Sequence, residues 1–123
     1  MTLSEDVLRF LRHSIGSIWD LELLLLLHRD AARGWTAAGL VRELRGSPGI
    51  VASALTTLSR AGLAECDDSG QYRYRPATAE LDDMAGKLLR TYSEFPFAVT
   101  QAIFAAPSDK IRVFADAFRL KKD

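Results

Sequence analysis

The sequence predicts a mostly α-helical fold carrying one small β-hairpin. Three observations lead there. Apolar residues recur at three- and four-residue intervals along most of the chain. Serine or threonine opens, and glycine or proline closes, one segment after another. The period drops to two only around residues 63–75, where Leu63-Ala64-Glu65-Cys66 and Gln71-Tyr72-Arg73-Tyr74-Arg75 flank the polar cluster Asp67-Asp68-Ser69-Gly70.

Taken in order, Ser4 caps a first helix with Glu5 and Asp6 at the positive end of its dipole. Its apolar stripe is Val7, Leu8, Leu11 and Ile15, and Gly16 closes it. Ser17, with Asp20 three residues on in a capping-box position, opens a second helix containing five consecutive leucines, Leu23 to Leu27. Leucines on every side require cover on every side, so this helix belongs at the centre. Trp35-Thr36 reads as a short extended piece, and Thr36 caps a helix through Arg45 with Leu40, Val41 and Leu44 inward and Gly46 at its end. Ser47-Pro48 restarts the chain at once, with proline at the first helical position where its missing N–H costs nothing. That helix turns Val51, Leu55 and Leu58 inward and stops at Gly62. After the hairpin, Thr78 opens a helix to about Ser93, Pro96 and Pro107 bracket a shorter apolar one, and Ser108-Asp109 caps a last one to about Leu120 with Ile111, Phe114, Ala115 and Phe118 as its stripe. No repeat or linker interrupts the chain, so residues 1–123 are expected to form one domain: an N-terminal helix (1–16), a core (17–76) and a C-terminal helical section (77–123).

Composition narrows the function. The 123 residues are 48% hydrophobic and 26% charged, within the range of globular domains. Sixteen Lys+Arg balance sixteen Asp+Glu, so any pull on nucleic acid must come from a local patch. The single cysteine, Cys66, excludes an intrachain disulfide, and the acidic start is unlike a secretory signal, so a cytoplasmic location is expected. The longest apolar run is far short of a membrane span, and no membrane partner is expected. No Gly-x-Ser-x-Gly, phosphate-cradling glycine loop or Cys/His pair is present, and His13 and His28 fall on separate helices. The chain is therefore expected to be no enzyme, with no catalytic residues, cofactor or metal.

The stretch Thr36-Ala37-Ala38-x-Leu40, then Ser47-Pro48-x-x-Val51-x-x-x-Leu55-x-x-Leu58-x-x-Ala61-Gly62-Leu63 and a hairpin, resembles a winged helix-turn-helix of bacterial transcriptional regulators of the MarR and PadR type. The resemblance covers about half of the chain, and its ending, Leu58-x-x-Ala61-Gly62-Leu63, is the most specific part. It implies a winged helix-turn-helix flanked by N- and C-terminal helices that form a homodimer. It also implies that the helix after the turn enters the DNA major groove while the hairpin touches the backbone. With Val51, Leu55 and Leu58 inward, the outward residues include Gly49, Ser53, Thr56 and Arg60, with Thr57 and Ala52 at the margins. The expected DNA-binding residues are Ser47, Gly49, Ser53, Thr56, Thr57 and Arg60, with Arg73 and Arg75 on the second wing strand and backbone contacts from Arg42 and Arg45.

The charge pattern departs from a strong DNA reader. The outward face has one long basic side chain, the hairpin tip is Asp67-Asp68, and residues 36–76 hold five arginines against four acids. Those features favour an alternative, a winged-helix protein–protein adaptor without DNA binding. Among other residues, Cys66 is expected to be a small buried apolar group and Asp82-Asp83 to complement a helix dipole. Trp19 and Trp35 are expected in packing, with a ligand pocket as the lesser reading, and Arg119-Leu120-Lys121-Lys122 at a helix end. Phe95, Phe97, Ile103, Phe104, Ile111, Val113, Phe114 and Phe118 exceed what one small domain can bury, which independently predicts a homodimer. The expected function is transcriptional regulation on double-stranded DNA by such a pair.

Overall fold

The computed structural model describes residues 3–105. The expected helix from Asp109 to about Leu120 lies outside them. The described chain runs α1 (Glu5–Ser14), α2 (Ile18–Arg29), α3 (Ala37–Leu44), α4 (Pro48–Arg60), β1 (Ala64–Cys66), β2 (Tyr72–Tyr74), α5 (Ala79–Glu94) and α6 (Pro96–Ala105). It is thus mostly helical with one two-stranded antiparallel sheet.

Hydroxyl caps set most of the helix starts. Ser4, Ser17, Thr36, Ser47 and Thr78 each accept a hydrogen bond from the amide three residues on, at 3.0–3.3 Å. The Asp20 carboxylate reaches back to the Gly16 N–H at 2.8 Å, fixing the α1–α2 corner. Asp20 is buried, and loss of water raises its pKa against the lowering effect of those hydrogen bonds.

α2 is the axis of the core. Leu21, Leu23, Leu24 and Leu27 are fully buried, Leu26 nearly so, and Leu25 half-buried. α4 packs along it, with α3 and β2 beside, while α1 packs on α5 and α6. All of this is one continuous apolar cluster. The buried stripe of α1 differs from the expected one: Phe10 and Ser14 join Val7, Leu11 and Ile15, while Leu8 is only half-buried. The stripe is rotated because α1 faces α5 and α6 rather than the leucine helix.

α3 ends one residue early. Arg45, expected as the last helical residue before Gly46, instead takes the left-handed backbone of the cap (φ 56°). At Gly46 a Cβ would stand 3.3 Å from the Trp19 ring, a tight contact that the bare backbone avoids. α4 ends in a Schellman motif: Gly62 (φ 77°) donates to Ser59 O at 3.1 Å and Leu63 to Leu58 O at 3.0 Å. Leu58 and Leu63 are fully buried together, and their contact launches the hairpin.

The hairpin pairs Ala64 with Tyr74, Glu65 with Arg73 and Cys66 with Tyr72. Trp35 adds a bridge, exchanging both backbone hydrogen bonds with Tyr72 at 2.7 and 2.8 Å. Buried Tyr74 lies edge-on to His28 of α2, with ring centroids 4.9 Å apart, and its hydroxyl donates to Asp82 at 2.6 Å. Asp82 thus ties the hairpin to α5 in addition to sitting in that helix's first turn. Tyr92 of α5 likewise donates to Glu22 of α2 at 2.6 Å.

Replacing Leu24 with alanine should cost about 2–5 kcal/mol in urea unfolding, and Leu25→Ala clearly less. The Glu22 carboxylate beside Tyr92, aided by burial, pushes its phenol up to about 12. A raised folded-state pKa gives stability that is present below the ordinary tyrosine range and lost as pH rises through the folded value. Stability should therefore fall through that alkaline window, and Tyr92→Phe should flatten the fall in unfolding curves taken across it.

Candidate functional site

The face to be assessed is built from α3, the turn at Gly46-Ser47, α4 and the hairpin. α4 divides as its spacing predicts. Val51, Ala54, Leu55 and Leu58 are buried, while Ser47, Gly49, Ser53, Thr56 and Arg60 are exposed and Thr57 is half-buried. Nothing lies within 4 Å of where a Gly49 Cβ would stand, so that end of the helix is open to a large partner.

The hydroxyls on this face are less free than their exposure suggests. Ser47 Oγ caps the helix, accepting from Ile50 N at 3.1 Å. Thr56 donates to Ala52 O at 3.0 Å and Thr57 to Ser53 O at 3.1 Å. Both threonine protons are held by the helix's own carbonyls, so these side chains can accept from a base amino group but cannot donate to a phosphate. On this face the serines and the arginines are then left as the side chains able to donate to phosphate.

The arginines fall into two sets. On the hairpin they have local partners. The Arg73 guanidinium pairs with Asp67 at 2.8 Å and donates to Ala32 O at 3.3 Å, with the side chain two-thirds covered. Arg75 meets Glu65 at 3.2 Å, with both side chains well exposed and the pair correspondingly weak. Arg42 and Arg60, by contrast, are in no ion pair among the described residues, and the fold brings them to one groove. That groove, of about 750 Å³, lies between α3 and α4 and has an apolar floor that includes Val41, Ala52, Leu55 and Tyr72. Arg33 lies flat over Trp35, its guanidinium carbon 3.6 Å from the ring centroid.

Asp67 proves to be an organiser of the turn. Its carboxylate accepts from the Ser69 hydroxyl at 2.6 Å, from Gln71 N at 3.0 Å and from Ser69 N at 2.9 Å, besides Arg73. These bonds, the Ser69 hydroxyl first, hold its carboxyl well below the usual carboxylate range. The acidic tip expected to repel phosphates is therefore half neutralised, leaving Asp68 as its exposed charge. Cys66 is exposed, against the expectation of a buried apolar group, with its thiol 3.6 Å from Asp67 O. Ala64 is the inward residue of β1, and by Cys66 the hairpin has passed the edge of the core.

Trp35 is buried, and Trp19 is half-buried and packs on Gly46, as packing residues should. Among the described residues, no three His, Cys, Asp or Glu side chains are grouped to hold a metal ion. No described helix is long and apolar enough to cross a membrane. No pattern in the sequence signals the groove between Arg42 and Arg60. Its apolar lining residues are scattered over two helices and a strand and share no single period.

Comparison with protein-family models, with curated proteins and with solved structures finds no match.

Replacing Asp67 with asparagine removes the charge that collects these bonds. Amide hydrogen exchange at Ser69 and Gln71 should then accelerate roughly tenfold or more while the amides of α2 keep their protection. In the unaltered chain the same protection should survive acidification below the ordinary aspartate range, because a depressed pKa is lost only as pH falls through the folded value.

Proposed function

We propose that the chain is a non-enzymatic DNA-binding transcriptional regulator. It would use α3, the Gly46-Ser47 turn, α4 and the hairpin as a winged helix-turn-helix and act as a pair of identical chains in the cytoplasm. The observation that carries this reading is the division of α4. One face is locked into the core along its whole length, and the opposite face is exposed beside Arg42 and Arg60, two arginines in no ion pair among the described residues. In this reading α4 lies in the major groove, Ser53, Thr56 and Thr57 meet base edges, and Arg42, Arg45 and Arg60 meet phosphates. Arg73 has a smaller part than the sequence suggests, since Asp67 competes for it. Arg75, exposed and loosely paired, remains available to the flanking backbone.

One observation favours a second reading, a protein–protein adaptor on the same fold. The floor of the groove between α3 and α4 is apolar and suits the apolar side chains of a partner better than phosphate.

A fluorescence-anisotropy titration against pooled genomic fragments, repeated over a range of salt, tests the DNA reading. It predicts selection of a fragment and a steep loss of affinity with salt. Arg60→Ala should lower the slope of log affinity against log salt by about 1, with Arg73→Ala having the smaller effect. A flat response even at low salt would overturn the regulator reading and leave the adaptor.

A further inference from the structure

The groove between α3 and α4 has a chemistry that a duplex leaves largely unused. Its apolar lining comes from Ala37, Ala38, Val41, Ala52, Leu55 and Tyr72, and no carboxylate lines it. Ala37, Ala38 and Ala52 are exposed, so a row of methyl groups stands in water. Arg42 and Arg60 complete the lining, in no ion pair among the described residues. The α4 wall runs from Pro48 to Arg60, a span of about 18 Å at 1.5 Å per residue.

We propose that this groove docks a short acidic amphipathic helix of a protein partner, its apolar side chains over the alanines and its carboxylates on Arg42 and Arg60. The proposal deepens the adaptor reading of the groove, on which it rests, by naming the chemistry of the partner. Length points to a chain segment, since 18 Å is about three turns of helix and exceeds one small organic acid. Main-chain bonding points to a helix over a strand. At Tyr72 the open edge of β2 is already closed by Trp35, which exchanges both backbone hydrogen bonds with it at 2.7 and 2.8 Å. The other two walls are themselves helices. An extended peptide therefore finds no free sheet edge here, whereas a helix satisfies its own backbone.

Charge sets the sign of the partner. With two cations and no anion on the lining, an acidic helix gains charge-assisted hydrogen bonds, and a basic one meets repulsion. The small side chains set its pattern, because room over an alanine admits apolar anchors that recur once per helical turn. Arg42, Thr56 and Arg60 line the groove and also belong to the face that the regulator reading gives to DNA. Helix and duplex therefore exclude each other, and an acidic partner helix would release the chain from DNA.

Panning the full chain with a phage-displayed library of random peptides about twelve residues long, the length that spans the groove as a helix, tests the proposal. Enriched peptides should combine acidic residues with apolar ones at helical spacing. A fluorescein-labelled synthetic copy should bind in anisotropy titrations and compete with a selected duplex. Ala52→Trp fills the groove from an exposed position, so it should weaken that peptide about tenfold or more without moving the circular-dichroism melt. Arg42→Ala combined with Arg60→Ala should weaken it roughly tenfold, as expected for two exposed ion pairs. Ser53→Leu, on the outward face and outside the groove lining, should weaken the duplex and leave the peptide within about twofold. No enrichment, enriched peptides without acidic residues, affinity indifferent to Ala52→Trp, or simultaneous binding of peptide and duplex would each overturn the proposal. So would decanoate binding that Ala52→Trp abolishes beside a failed selection, which would give the groove to a small amphipathic acid. A failed selection beside a salt-dependent duplex titration counts against this docking alone. A flat duplex titration beside a successful selection counts against the regulator reading alone.

Discussion

A leucine-rich helix that must be covered on all sides is the constraint from which the rest of the structure follows. α2 cannot sit at an edge, because leaving any of its buried leucines in water would cost about 1.5–3 kcal/mol each. α4 covers it most extensively, with α3 and β2 alongside. Covering α2 fixes the rotation of α4, and that rotation decides which residues look outward. The exposed stripe of Gly49, Ser53, Thr56 and Arg60 is thus a consequence of core packing before it is anything functional. The hairpin is held to the same helix through Tyr74 against His28, and α5 through Tyr92 and Glu22.

On that scaffold, local electrostatics sort the arginines more finely than a charge count can. Residues 36–76 hold a near-balance of basic and acidic groups, and the fold does not distribute that balance evenly. Asp67 holds Arg73 and Glu65 loosely pairs with Arg75 on the hairpin, while Arg42 and Arg60, in no ion pair among the described residues, stand on one groove. Threonines whose protons are tied to the helix backbone add acceptors to that region and no donors. A surface so composed would contact few phosphates per copy, so its affinity at physiological salt would be low and would depend on having two copies to contribute.

Much of the architecture was legible in the sequence because it is set by short-range chemistry. Ser4, Ser17, Thr36, Ser47 and Thr78 cap the helices they were expected to cap, since a hydroxyl three residues before an orphan amide needs no tertiary help. Gly62 ends α4 for the same kind of reason. The reading failed where the answer lay in a neighbour distant along the chain. Gly46 lies close against the Trp19 ring, the stripe of α1 is rotated toward α5 and α6, and Cys66 falls just past the edge of the core. At the candidate site, the outward face of α4 could be read from its period. The capture of Arg73 by a turn aspartate could not, because a loop's side-chain geometry has no period to read.

In the proposed regulator reading, the outward face of α4, together with Arg42, is the surface that meets DNA. The most direct measurement is an amide chemical-shift map of the nitrogen-labelled protein titrated with a duplex fragment it selects. Shifts concentrated on residues 36–60 and on the hairpin, with α6 and the buried amides of α2 unmoved, are what the account predicts. Shifts centred on α1 and α6, or none that saturate, would contradict it.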